Sequence, residues 1–294
     1  MNRPTPGGGE TGRLGRVIVK HPRDAFGSDD AITRQWRRLN FTSAPDLGRA
    51  LIEYGAFVQL VRSGGAEMLF LPADPATGLD SIYTRDASVV APGGIVLCRM
   101  GKPERETEPE ALRRAAERLG VPVVGAIEPP GRLEGGDVVW LDERTVVVGR
   151  GYRTNDAGIQ QYRAMLGDAI DEVIVVPLPH WRGPADVFHL MSIISPIDRD
   201  LAVVYAPLLP VPFREVLIAR GVSFVDVPDE EFDSMGANVL AIGPRDVIMV
   251  EGNPITRARL EQADVRVRTY AGREISLKGG GGPTCLTRPL DRYS

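Results

Sequence analysis

Short runs of β-branched and aliphatic residues come in pairs along this chain, each pair split by a turn and followed by a stretch of helical periodicity. Ser88-Val89-Val90-Ala91 and Ile95-Val96-Leu97-Cys98 flank a Pro92-Gly93-Gly94 turn, which predicts a hairpin. The same pattern recurs at 137–140 with 145–148, at 188–195 with 201–205, and at 238–242 with 247–250. Behind each hairpin the spacing predicts a helix (109–119, 156–166, 212–221, 255–263) and one more strand (121–124, 172–176, 223–227, 265–269). Near the start, a strand at 17–20 precedes a helix with Ser43 as its expected cap and Pro45 in its first turn. Leu47, Leu51, Tyr54, Val58 and Val61 give that helix one apolar face, Gly64-Gly65 ends it, and a strand follows at 68–71.

A unit of hairpin, helix and strand thus repeats four times with a period near 50 residues, the mark of an array of equivalent modules. A fifth unit is completed if a last strand carrying Cys285 pairs with the first one. The predicted fold is α/β: a five-bladed α/β propeller of ββαβ-like modules, helices outside and hairpins inside.

Composition narrows the class. With 294 residues, 43% hydrophobic and 25% charged, the chain can bury a core and has the balance of a soluble globular protein. A net charge of −4, with arginines interleaved among acids, provides no basic footprint for nucleic acid and none for an anionic membrane surface. No apolar run approaches the ~18 residues of a membrane span. Residues 1–13 are Pro/Gly-rich and polar, lack the apolar stretch of a signal peptide, and are expected to form a disordered tail ahead of one catalytic domain over 14–294. Cys98 and Cys285 stand at no paired spacing, so a reducing, cytoplasmic setting is expected. His21, His180 and His189 form no Cys/His pattern, so no metal or cofactor is expected.

The residues that lead into the first strand of each unit are Asp86, Glu134 (with Asp137 three on), His189, Asn238 and Cys285, 48, 55, 49 and 47 residues apart. Each has a bland reading. Asp86 could pair with Arg85, Glu134 cap the Gly135-Gly136 turn, His189 sit satisfied in a core, Asn238 serve a turn, and Cys285 be filler as Cys98 is expected to be. Polar residues at one common phase of a ring are nevertheless unexpected for a core, and they converge on one centre. Four glycines, Gly279 to Gly282, precede Cys285 and strip the backbone for close approach; a side chain at Gly282 is expected to intrude on a ligand lying there.

That set suits covalent attack on an electron-poor carbon. A cysteine needs a base or a cationic neighbour to be thiolate at pH 7, and beside His189 or a bound cation Cys285 is expected to ionise below ~8.5. A carboxylate such as Glu134 orients the histidine and stabilises its protonated form. The surplus acids Asp86 and Asp137 suit a cationic, guanidinium-bearing ligand, and Arg153 could hold a carboxylate on it.

Five motifs in order carry a resemblance. Tyr83-Thr84-Arg85-Asp86, Arg132-Leu133-Glu134-Gly135-Gly136-Asp137-Val138, Gly151-Tyr152-Arg153-Thr154-Asn155, Phe188-His189-Leu190 and Gly281-Gly282-Pro283-Thr284-Cys285-Leu286-Thr287 resemble the guanidino-group modifying enzymes, or penteins. These include dimethylargininases, arginine deiminases and amidinotransferases, and their fold is a five-bladed α/β propeller. The resemblance implies that Cys285 attacks the guanidinium carbon to form a thiouronium intermediate and that His189 acts as acid and then base. It further implies that Glu134 binds both His189 and the guanidinium, that Asp86 grips its nitrogens, and that Arg153 pairs with an α-carboxylate. Asp137 and Asn238 become substrate or supporting contacts.

Met191 stands where arginine deiminases and amidinotransferases carry an aspartate, which together with Arg153-Thr154-Asn155 resembles the dimethylargininases. Tyr83–Asp86 and Gly282–Cys285 look more like arginine deiminase. The expected activity is hydrolysis of arginine or a methylated arginine to citrulline plus an amine, with transfer to an amine acceptor as the alternative. The same ring also occurs in a translation initiation factor, but a binder needs no Cys/His/carboxylate set. The expected partner is an arginine-like small molecule, with no nucleic acid or membrane; homo-oligomerisation is left open. Segments 27–30 and 73–78 have the composition of a lid, and Asp29, Asp30, Asp74 and Asp80 are candidates for an α-amino group.

Overall fold

The structure is a computed structural model and describes residues 5–6, 9–186 and 188–293. In the first blade, Ser88–Ala91 runs antiparallel to Gly94–Leu97, helix Glu108–Arg118 follows, and Val123–Ala126 returns parallel to the middle strand. The second blade is Val138–Trp140, Thr145–Arg150, helix Asp156–Leu166 and Glu172–Pro177. The third is Ile194–Asp198, Leu201–Val204, helix Val211–Ala219 and Ser223–Asp226. The fourth is Leu240–Gly243, Asp246–Val250, helix Pro254–Gln262 and Arg266–Tyr270. The fifth joins the two ends of the chain: Arg288–Pro289 pairs antiparallel with Arg16–Lys20, and helix Leu47–Ser63 leads to Glu67–Leu71, parallel to it. The five ββαβ units and their closure are those the repeat predicts.

The middle strands explain why the blades form a ring. Val146 and Val148 enter one apolar cluster with Trp140 and Leu97, while Val147, between them, enters another with Leu190 and Ile194. Val17 and Val19 likewise face a different cluster from Ile18. Period-two alternation sends successive side chains to opposite faces of a strand that is apolar on both. Each sheet therefore shares a core with both neighbours, and no blade is complete alone. Each such side chain, fully buried, contributes roughly 1.5–3 kcal/mol.

Two expectations need correction here. The helix Leu47–Ser63 is capped by Asp46, whose Oδ1 accepts from the Arg49 amide at 2.8 Å, and not by Ser43. The carboxylate stands immediately before the first turn, where the free amides point. The first thirteen residues are also not a disordered tail over their described part. Thr5–Pro6 and Arg13–Leu14 flank Asp291–Tyr293 in a small sheet, and Glu10 is buried with its carboxylate 2.8 Å from Arg85. A buried guanidinium needs a counter-ion, and composition carried no sign of that long-range demand. No helix among the described residues is long and apolar enough to cross a membrane.

Candidate active site

All five blade-leading residues lie just before their strands rather than within them. Asp86 precedes Ser88–Ala91 by two positions, Asn238 precedes Leu240–Gly243 by two, and Cys285 precedes Arg288–Pro289 by three. Glu134 and His189 each open a 3-10 turn, Gly135–Asp137 and Leu190–Ser192, so the third hairpin begins at Ile194 and not at Phe188. At these positions the backbone turns before entering its ladder, which frees the side chains to meet at the centre of the ring.

His189 and Glu134 form the heart of it. His189 Nε2 lies 2.7 Å from Glu134 Oε2, and the other carboxylate oxygen accepts from the amides of Gly101 and Lys102 at 2.8 and 3.2 Å. Burial alone would push the imidazole pKa down, but Asp86, Asp137 and Glu134 outweigh it and raise it from 6.5 to about 9. Burial would raise the Glu134 carboxyl, yet the bond from His189 and the charges of His189, Arg153 and Arg105 hold it well below its ordinary value. At neutral pH the pair is imidazolium and carboxylate. Asp137 Oδ2 accepts from Thr154 Oγ1 at 2.7 Å and Oδ1 from the Leu190 amide at 3.0 Å, which pins the turn carrying His189. Burial raises Asp137 to about 6.

Cys285 is held by Asn238. The amide nitrogen Nδ2 donates to Sγ at 3.4 Å, and Oδ1 accepts from Thr284 N and Thr284 Oγ1 at 3.0 and 2.9 Å. Packing itself requires glycine at positions before it, while Gly279 and Gly280 border the cavity. A Cβ on Gly282 would stand 2.4 Å from Asn238 Oδ1, and one on Gly281 2.4 Å from the Tyr83 ring. Gly280 adopts φ +74, the left-handed region. The missing side chain of Gly282 thus makes room for Asn238. The free protein departs from the expectation of a lowered thiol pKa. Burial, followed by the charge of Asp86, pushes the Cys285 pKa up despite bonds from Thr284, Asn238 and the Gly282 backbone. The resting group is a thiol.

Cys285, His189, Asn238 and Met191 line one cavity of about 370 Å³, walled by Trp181, Phe188, Phe232 and Leu277. Asp86, Glu134, Asp137 and Arg153 are not among its lining residues and stand behind Gly136 and His189. Asp86 is no surface partner of Arg85: its Oδ2 accepts from Arg105 Nη1 at 2.6 Å and its Oδ1 from the Gly136 amide at 3.0 Å. Arg85 points elsewhere, with Nε and Nη2 at 3.3 and 3.1 Å from Met191 Sδ. Arg153 is not free. It is buried, 3.7 Å from Glu134 and bonded to the Asp186 carbonyl at 3.1 Å.

The candidate lid segments 27–30 and 73–78 do not border this cavity; Asn40, Thr42 and the Trp181–Asp186 stretch do. Asp74 pairs with Arg114 and Asp80 with Lys102, so the acids at the cavity are instead Asp186 and Asp233. Arg105 escaped the sequence reading, as did Lys102. Each lies in a charged stretch where its buried partner, Asp86 or Asp80, is about twenty positions away and leaves no local signal.

Ligand atoms of Asp86, Glu134 and His189 lie within 4.8 Å of one another, close enough for a metal. In the protein as it stands these donors are engaged with one another and with Arg105, Gly101, Lys102 and Gly136.

A ring of five ββαβ blades around a cysteine, a histidine and buried carboxylates defines a pentein of the guanidino-modifying class. Within it, the chain belongs to the N,N dimethylarginine dimethylhydrolase family, whose eukaryotic model matches residues 23–292. It is 34% identical over 212 residues to N(G),N(G)-dimethylarginine dimethylaminohydrolase of Streptomyces coelicolor, covering 72% of this chain and 74% of that protein. It is 28% identical over 259 residues to the arginine deiminase of Listeria welshimeri, covering 74% of this chain and 63% of that one. In structure it is similar to DDAH from Pseudomonas aeruginosa complexed with citrulline, with TM-score 0.76, 22% identity, and 95% and 99% of the two chains covered.

Proposed function

We propose that this chain hydrolyses the guanidine C–N bond of arginine or an Nω-methylated arginine, releasing citrulline and an amine. The observation that carries the reading is one cavity lined by a cysteine whose sulfur accepts from Asn238 and by a histidine kept protonated beside Glu134.

A planar guanidinium seated at Cys285 brings the positive charge the free thiol lacks. It offsets burial and the field of Asp86, so the thiol gives up its proton to water as the cation binds. The sulfur then attacks the guanidinium carbon and a C–S bond forms. His189, charged at neutral pH, protonates the departing nitrogen, and the C–N bond breaks to leave a thiouronium on Cys285. Neutral His189 next takes a proton from a water whose oxygen adds to the same carbon. Collapse expels the thiolate and leaves the ureido group of citrulline. Glu134 stabilises the imidazolium, while Asp86 and Asp137 supply the negative field for the cation. Arg153 exchanges the Asp186 carbonyl for the α-carboxylate.

Met191 and the apolar walls favour a methylated guanidine. An aspartate at Met191 would bond a bare nitrogen and be left unpaired against a methylated one. The names of the two relatives bracket this substrate range.

The test is an activity panel of arginine, monomethyl- and dimethylarginine, agmatine and guanidino acids, with citrulline-type product and released amine both measured. Citrulline with equimolar methylamine or dimethylamine supports the reading. Ornithine formed only when an amine acceptor is added would overturn it in favour of transfer.

A further inference from the structure

Behind the floor of the active-site cavity, the ring encloses a second group of charges that the chemistry above does not use. Arg85, Arg288 and Arg292 are all nearly fully buried there and line one small cavity together with Glu10. Glu10 is bonded to Arg85 at 2.8 Å and lies 4.0 Å from Arg292. Asp291 also borders the cavity, but its carboxylate is taken by Arg16, at 2.7 Å to the amide and 2.8 Å to Nε. Three guanidiniums therefore face one available carboxylate.

The hydrogen bonds are short of acceptors too. Arg288 Nη2 donates to the Arg85 carbonyl at 2.6 Å and Arg292 Nη1 to the carbonyls of Gly12 and Ala241 at 2.6 and 2.9 Å. Arg288 Nε and Arg292 Nη2 are buried and have no acceptor among the described residues. Burial, with Arg85 beside them, pushes both guanidinium pKa values down, to about 9 and about 10. Arginine does not shed its proton in a protein, so the deficit calls for an added negative charge rather than a lost positive one.

We propose that this cavity binds a single halide-sized anion, chloride in a cell, held by Arg288 Nε and Arg292 Nη2. Its volume of about 20 Å³ has room for one particle of water or chloride size. Chloride accepts from guanidinium without directional demand and removes one unit of the excess charge. Because Arg85 touches both Glu10 and the active-site residue Met191, the anion fixes the base on which the cavity floor rests.

Bromide tests this directly. Crystals grown in sodium bromide should give an anomalous peak between Arg288 and Arg292, and a peakless cavity filled by water would overturn the proposal. In solution, thermal unfolding at constant ionic strength should show Tm higher in chloride or bromide than in gluconate by about 2–4 °C. Glu10→Gln, which adds to the uncompensated charge, should widen that gap, and Arg292→Met should close it. Equal Tm values in halide and gluconate for the unmodified chain would overturn the proposal even if a variant fails to fold.

Discussion

Asn238 donates to the sulfur of Cys285 at 3.4 Å while the oxygen of the same amide accepts twice from Thr284. One side chain thus fixes the loop and stabilises negative charge on the sulfur. Asn238→Ala should destabilise the fold by about 1–3 kcal/mol, since buried donors on Thr284 lose their acceptor. It should also move the inflection in the pH dependence of Cys285 alkylation upward. An unchanged inflection would mean that the amide only braces the loop.

Cys285→Ser should abolish turnover by several orders of magnitude while leaving Tm nearly unchanged, because the hydroxyl oxygen can accept from Asn238 as the sulfur does. Citrulline release and calorimetry on the same sample check both halves. Activity within tenfold of the unmodified chain would refute the covalent mechanism.

The folded pKa of His189 stands above its ordinary 6.5, at about 9. Its charge therefore contributes stability that is fully present below pH 6.5 and is lost as pH rises through about 9. The Tm gap between the unmodified chain and His189→Ala should narrow across that window. The rate of amine release should also fall above pH 9, where the acid loses its proton. A gap that widens with pH would show that the imidazole is neutral in the resting protein.

Gly282→Ala places a Cβ 2.4 Å from Asn238 Oδ1. The amide must move, and the thiol loses its donor with it. We expect a cost of about 1–3 kcal/mol and a fall in kcat larger than any change in KM. A KM effect alone would return Gly282 to the role of substrate floor.

Glu10→Gln removes the carboxylate from a buried pair with Arg85. Loss of one partner of such a pair costs about 3–5 kcal/mol, so Tm measured in gluconate should drop markedly. A drop no larger than that of a surface charge substitution would show that the Glu10–Arg85 pair contributes little.

What the chain discloses in advance follows from the range of each interaction. Hairpins such as 88–97, and the closing of the ring, were legible because short apolar runs rich in Val and Ile flank turn residues and repeat at a near-constant period. Cys285, His189 and Glu134 were legible because they occupy the same phase of that period. Their placement in 3-10 turns was not, since those turns are held by bonds such as Asp137 to the Leu190 amide, between residues 53 apart. Arg105, Glu10 and the orientation of Arg153 were hidden for the same reason. Arg105 is fixed by Asp86 and Glu108, Glu10 by Arg85, and Arg153 by Glu134 and the Asp186 carbonyl. The glycine run was read correctly as a close approach, but what approaches is Asn238 and Tyr83.

The seam between Arg288–Pro289 and Arg16–Lys20, continued by the bonds of Asp291 to Arg16 and Gly15, closes the ring, and Cys285 sits three positions upstream of it. Catalysis is thereby tied to a latch. Parting of those two strands should carry Cys285 away from the cavity that it lines with His189. Turnover thus reports ring closure, and heat or denaturant should silence the protein at doses that leave most of its sheet intact.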